Sequence, residues 1–479
     1  MAKDTSSLSL GRETVIGMVG RVLLLISGFI EVLVLTRFLN PSTVGSFYVL
    51  LSAAEILCQV IDGTGVAIRK RVSEIGSSSS EYLGAGILFA ITYSLLLGAI
   101  VGLVYWCTSG PLFGLTVSDS FGVIVTTLTL GLFSIAFDTY TGTGNPGAAT
   151  IANAGRSLIR LLAVVGILSL TTMVPMLIWA VACANFLAFL LILFLLDIHP
   201  TLPSRETAYR TLSFARYSVP NKFLQRLYSR ADILLLSALA GNAAAGFYEA
   251  ALRLTIPSVT AAVVLARTLS VKTSGLASRA KEGVERELQQ GTRFAGLFGF
   301  PLLAGSIVLG QDLLAVLYTP EYVRAWPALV GLALFQLIYT YRLQYTNVVD
   351  GLNQPEINFR VNVGIVIIFL PTATALTLTH GLIGILVATV STEILRLGAY
   401  VYILRKDLGF PFEPMIVMQI ISAAIMFLFL PFLSLQLVYG KLYNTTILIL
   451  FGGLIYFSLL LILDSEIRFK MKKLIQEHR

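Results

Sequence analysis

Apolar runs of about 20 residues recur from one end of the chain to the other, separated by short polar breaks. At 1.5 Å per residue, such a run as a helix matches the hydrocarbon thickness of a bilayer. The runs fall at 15–39, 43–64, 83–107, 119–139, 148–170, 175–197, 214–240, 246–270, 294–317, 327–350, 358–378, 381–403, 414–436 and 443–464. They predict an all-α polytopic membrane protein of about fourteen transmembrane helices. Thr141-Gly142-Thr143-Gly144-Asn145-Pro146-Gly147 marks the break between the fourth and fifth. The first run follows a polar start and has no small-residue cleavage site after it, so it reads as a retained helix.

Two segments look alike. Residues 32–48 read VLVLTRFLNPSTVGSFY and residues 232–248 read DILLLSALAGNAAAGFY, so that Phe47-Tyr48 falls on Phe247-Tyr248 without a gap. Each is the end of an apolar helix, a Gly/Pro/Asn turn and an aromatic pair opening the next helix. The repeat predicts two pseudo-symmetric six-helix lobes, 1–200 and 201–405, with two further helices and a basic tail in 406–479.

Composition agrees with the pattern. Of 479 residues, 56% are hydrophobic and 13% are charged, against about 25% charged in a soluble protein. The formal net charge of +8 sits in one set of loops: Arg69-Lys70-Arg71, Arg205, Arg210, Lys272, Arg279, Lys281, Arg286, Arg293, Arg405-Lys406 and the tail from Arg468 to Arg479. The alternate loops are short and hold little beyond Arg324 and Lys441. Positive loops stay inside, which places both termini in the cytoplasm and assigns the charge to membrane topology, with no nucleic acid as partner. The charged stretch Ala277–Thr292 is expected along the cytoplasmic surface between the lobes, and Arg468–Lys473 on anionic lipid headgroups. Cys58, Cys107 and Cys183 are too dispersed for a disulfide framework, and His199, His380 and His478 are far apart. No metal or nucleotide signature points to a cofactor.

Charges inside predicted helices carry the chemistry. Lys222, Arg226 and Arg230 form one stripe at i, i+4, i+8 on the seventh helix. A basic residue near mid-membrane costs about 2.5–3.5 kcal/mol on the insertion scale, so the stripe should meet water, an acidic partner or an anionic cargo. Arg grips phosphate with two parallel hydrogen bonds. The plain alternative is ion pairing with Asp232 or Glu249. On the first helix, Arg21 and Arg37 can reach the two interfaces by snorkelling, whereas Glu31 lies near the middle and can pair with an Arg or carry a coupling ion. Glu55, Gln59 and Asp62 share a face of the second helix, with Asp62 read as a cap or loop anchor near its cytoplasmic end. Arg156 and Arg160 lie toward the cytoplasmic side, where they can meet phosphate headgroups or cargo, headgroups being preferred. Glu249 is assigned to Arg253 and Glu393 to Arg396, and Arg342 has no evident partner and is a further cargo candidate.

Several ordered motifs resemble the oligosaccharide and polysaccharide flippases (the polysaccharide transporter family) of the multidrug/oligosaccharidyl-lipid/polysaccharide exporter (MOP) superfamily. They are Thr36-Arg37-Phe38-Leu39-Asn40-Pro41 running into Val44-Gly45-Ser46-Phe47-Tyr48; Asp62-Gly63-Thr64-Gly65 before Arg69-Lys70-Arg71; Arg230-Ala231-Asp232 with Ala245-Gly246-Phe247-Tyr248; and Leu317-Tyr318-Thr319-Pro320-Glu321-Tyr322 leading to Ala325-Trp326-Pro327. The resemblance implies six-helix lobes about a central cavity, alternating access, and a lipid-linked oligosaccharide as cargo. A coupling ion of unspecified kind and the surrounding membrane lipids would be the other partners. A multidrug exporter of organic cations is the second reading, opposed by the basic stripe. A membrane glycosyltransferase or polymerase is the third, opposed by outward loops that are short and nearly free of charge.

Overall fold

The computed structural model describes residues 10–74, 78–108, 116–276, 281–408, 413–435 and 440–464. The basic tail, the outward loop at 109–115 and Arg279 lie outside the described residues. Among those described there are helices and no strands. Eleven helices are long and apolar enough to span a bilayer. The side chains they leave exposed are themselves apolar, Trp106, Phe194 and Leu428 among them, which is a surface built for hydrocarbon.

Contacts divide the chain into two compact units, Met1–Ala238 and Leu239–Arg479. The first contains α1 (Leu10–Phe38), α2 (Pro41–Val72), α3 (Ser79–Thr108), α4 (Val117–Gly142), α5 (Pro146–Leu168), α6 (Val174–Leu196) and nearly all of α7 (Arg205–Ala240). Local chemistry sets the helix starts. Asn40 caps α2 by accepting from the Thr43 amide at 2.9 Å, with Pro41 at the first helical position. Thr116 and Asp119 form a capping box on α4. Gly144, at φ 87°, turns the chain between α4 and Pro146 of α5, where the sequence signals a break.

Small residues set the spacing inside this unit. α1 packs on α5 through Gly20 against Thr150 and through a 2.7 Å hydrogen bond between Ser27 and Ser157. α2 packs on α4 and α4 on α6, burying Ile61, Ile68, Leu132, Ile135, Phe189 and Ile192. Gly63 lets α7 touch α2: a Cβ there would lie 2.5 Å from the Val219 Cα, and Ser218 donates to the Gly63 carbonyl at 2.6 Å. α2 therefore runs ten residues past Asp62, to Val72, where the sequence reading ended it near 64.

The second unit contains α8 (Asn242–Leu276), α9 (Lys281–Ala295), α10 (Gly299–Leu317), a 3₁₀ turn (Pro320–Ala325), α11 (Trp326–Gly351), α12 (Pro355–Leu408), α13 (Pro414–Ser434) and α14 (Lys441–Leu463). α12 is two predicted spans in one. Its backbone leaves the helix at Gly381 (φ 55°, ψ −128°), and Arg396 beyond the break hydrogen-bonds Asn362 before it, so the halves form a hairpin. Counting that hairpin twice and adding the long helices α7 and α8 gives fourteen helical segments among the described residues, the number read from the sequence. α8 packs on α11 and α11 on α12, while α13 and α14 pair with each other and with α10. The amphipathic α9 buries Val284 and Leu288 against Leu269, Tyr345 and Val348, and Arg293 near its end meets Asp464 at 2.6 Å.

Candidate functional site

Within the first unit, α2, α4, α5, α6 and α7 enclose a cavity of about 240 Å³. α2 contributes Glu55, Gln59 and Asp62, three positions on one face of the helix. α4 adds Phe133, Ser134 and Phe137; α5 adds Asn153, Arg156 and Arg160; α6 adds Asn185; α7 adds Arg226. Three guanidiniums therefore face two carboxylates across a space walled by helices.

Arg226 of the α7 stripe lines this space, and Glu55 of α2 is an acidic partner of the stripe. Arg226 reaches Glu55 Oε2 at 2.7 Å, and Arg230 reaches the same oxygen at 3.1 Å through both Nε and Nη2. Lys222, the third member, is not among the residues that line the cavity. Asp138 is buried and pairs with Arg69 at 3.3 Å. Glu249 instead holds Arg253 at 2.7 Å, as the i, i+4 spacing predicts.

Two assignments from the sequence are corrected here. Arg156 and Arg160 are not headgroup contacts, because the face of α5 that carries them packs inward. Arg160 pairs with the buried Glu31 at 2.8 Å. Arg156 donates to Asn185 Oδ1 at 3.0 Å and to Asn153 Oδ1 at 3.1 Å, and lies 5.0 Å from the Phe133 ring centroid. Arg156 makes no ion pair among the described residues. Asp62 is likewise no terminal cap. It sits on the cavity wall, accepting from Gln59 at 3.0 Å and from the Cys58 thiol at 3.7 Å.

The remaining candidates are elsewhere. Arg21 is exposed on α1. Arg342 is buried in the second unit, where it bonds Glu393, donates to Thr346 at 3.1 Å and lies 4.7 Å from the Tyr339 ring centroid. Arg396 approaches the other oxygen of Glu393 at 3.8 Å, so one carboxylate serves two cations there too. The second unit also has a groove of about 440 Å³ between α11 and α12, lined by apolar residues such as Trp326, Leu334, Ile383 and Val387.

A buried basic cavity in an all-helical membrane unit is also where comparison with known proteins becomes informative. Residues 147–327 match the family described as polysaccharide biosynthesis protein. The chain is 28% identical over 291 residues to the "Probable flippase AglR" of Haloferax volcanii, a match covering 59% of this chain and 60% of that protein. The chain spans about three fifths of the length of the curated relatives it matches. The solved structure of the lipid II flippase MurJ in an inward closed conformation superposes with a TM-score of 0.77 at 12% identity, covering 95% of this chain and 99% of that one. The chain has the MOP fold. An inward-facing multidrug resistance transporter of the MATE family, also of the MOP superfamily, superposes with a TM-score of 0.65 at 13% identity over 80% of this chain and 95% of that one. The resemblance read from the motifs thus holds in sequence and in fold. Within the MOP fold, likeness at these identities fixes architecture alone, so the chemistry has to come from the cavity side chains.

Proposed function

We propose that the protein moves a lipid-(di)phosphate-linked oligosaccharide between the leaflets of the cytoplasmic membrane by alternating access, for the assembly of a cell-surface polysaccharide or glycoprotein. The observation that carries this reading is the donor set in the first unit. Arg156 is held by neutral amides alone and faces the same 240 Å³ cavity as Arg226 and Arg160. A guanidinium without a carboxylate in a helix-walled cavity invites an anion, and phosphate matches its paired donors. Arg156 and Arg226 would bind the phosphate, with Lys222 and Arg230 flanking it. Glu31 would orient Arg160. Arg21 would serve at the interface, and the pairing of Arg342 with Glu393 supports a structural role for that residue.

The family description and the flippase name of the archaeal relative agree with this reading. The likeness to a multidrug transporter is one of fold, and three guanidiniums in the cavity wall disfavour an organic cation. Transport needs no covalent step, so no side chain is assigned a catalytic role. The even number of helical segments and the placement of Lys and Arg support both termini on the cytoplasmic side.

The test is transfer in proteoliposomes. Purified protein is reconstituted with a polyprenyl-diphosphate-linked sugar carrying a fluorophore on the sugar, and an impermeant quencher reports its leaflet. Wild type should move the lipid. Arg226→Ala and Arg156→Ala should stop movement while the protein still inserts, and Arg226→Lys should restore only part of it. Full activity in both alanine variants would remove the cavity from the pathway.

A further inference from the structure

We propose that Glu55 is a built-in substitute for the cargo phosphate: it occupies the donors of Arg226 and Arg230 and competes with the cargo for them. The inference rests on the cavity of the first unit being the cargo site. It adds a residue that sets how tightly cargo is held.

The geometry around Glu55 is that of an anion in a receptor. A single oxygen, Oε2, takes three N–H donors from two guanidiniums at 2.7, 3.1 and 3.1 Å. A phosphate oxygen accepts the same donors in the same arrangement. Glu55 also forms part of the cavity wall, so an anion seated between Arg226 and Arg156 lies beside it. The Nε of Arg226 is buried and has no hydrogen-bond partner among the described residues. Carboxylate and phosphate then compete for one set of donors in a space of low dielectric, where like charges repel strongly. Either Glu55 yields Arg226 to the cargo, or the cargo is weakened by Glu55.

Both outcomes suit a carrier. A site that gripped diphosphate with unopposed arginines would release it slowly, and transport needs binding strong enough to load yet weak enough to discharge. Between cargo events the carboxylate keeps two guanidiniums from being buried without a counter-charge. Glu55 therefore trades affinity for turnover. Arg156, with no carboxylate, would be the donor the cargo meets without competition.

Inorganic pyrophosphate binding to the purified full-length protein in neutral detergent, measured by calorimetry, tests this. Glu55→Gln should bind pyrophosphate more tightly than wild type, on the order of tenfold to a hundredfold. Glu55→Asp keeps the charge but draws it back by one methylene, and should give a smaller gain. Arg156→Gln should lose affinity in either background. If Glu55→Gln does not accumulate, Glu55→Asp alone decides. No gain in any Glu55 variant that folds overturns the proposal, as does failure of both to accumulate, which would make Glu55 a structural partner only. Competition by phosphatidylglycerol added to the micelles at matched concentration also overturns it, by assigning the donors to a bilayer headgroup. Tighter pyrophosphate binding in a protein whose wild type fails the proteoliposome assay would keep the competition and discard the cargo named above.

Discussion

Replacing Glu393 by Ala removes a carboxylate that both Arg342 and Arg396 approach in the second unit. The side chain of Glu393 is 0% exposed, and those of Arg342 and Arg396 are 6% and 11% exposed. Neither guanidinium can turn to water without repacking α11 against α12. Breaking a buried pair by deleting one partner costs about 3–5 kcal/mol, and Arg342 is the cation that loses its bonded carboxylate, while Arg396 keeps its bond to Asn362. At about 2–4 °C per kcal/mol for larger domains, the apparent melting temperature should fall by roughly 6–20 °C. The assay is thermal aggregation of the detergent-purified protein at one fixed scan rate, since proteins of this size unfold irreversibly. Glu393→Gln keeps the shape and one acceptor oxygen, and should fall between Ala and wild type. The informative variant is Arg342→Met with Glu393→Leu. It exchanges the pair for apolar side chains, while Arg396 retains Asn362. It should recover most of the lost stability. A fall of less than about 2 °C for Glu393→Ala, or a double variant as unstable as the single one, would refute the reasoning. A stable double variant without transport would return Arg342 to the list of cargo contacts.

Glu31→Ala should cost less stability than Glu393→Ala, because its partner Arg160 faces the cavity and can be solvated there; the same melting assay compares them. Gly63→Leu should prevent a monodisperse protein on size exclusion, since its side chain would meet the Val219 backbone, whereas Gly17→Leu on the open face of α1 should behave as wild type. Cys107, exposed at the end of α3, should react in intact cells with an impermeant maleimide. Labelling only after permeabilisation would invert the assigned topology. Replacing Cys58, Cys107 and Cys183 together with Ala should leave transport largely intact, read in the proteoliposome assay.

The spans were legible because lipid imposes one rule, length and apolarity, on almost every helix. α7 was read as one of these runs, at 214–240, and its charges marked it out as a site: Lys222, Arg226 and Arg230 share a face, and no lipid-exposed stripe would carry them. Their partner was not legible. Glu55 lies 175 residues before Arg230, and nothing in local spacing says which helices become neighbours. The same limit hid Glu393 from Arg342. Arg156 and Arg160 were misassigned for another reason. Periodicity shows that residues share a face but not which way the face turns, and Asn185, which holds Arg156, is one polar residue within an apolar helix. Asp62 reads as lying near a helix end, since the apolar run of the second helix fades at 64, just before Gly65. In the structure Gly63 and Gly65 are contact points, one receiving Val219 of α7 and the other Asp138 of α4.

The polarity of α7 has a consequence for biosynthesis. A segment carrying Arg216, Lys222, Arg226, Arg230 and Asp232 is a poor substrate for insertion on its own, at about 2.5–3.5 kcal/mol for each charge near the bilayer centre. The carboxylate that neutralises two of these charges is on α2, which leaves the ribosome long before α7 does. If the preceding helices supply that carboxylate before α7 leaves the insertion channel, its charges are neutralised as it enters. The order of synthesis is part of the design: α7 appended to a reporter without residues 1–200 should remain outside the membrane, and with them it should enter.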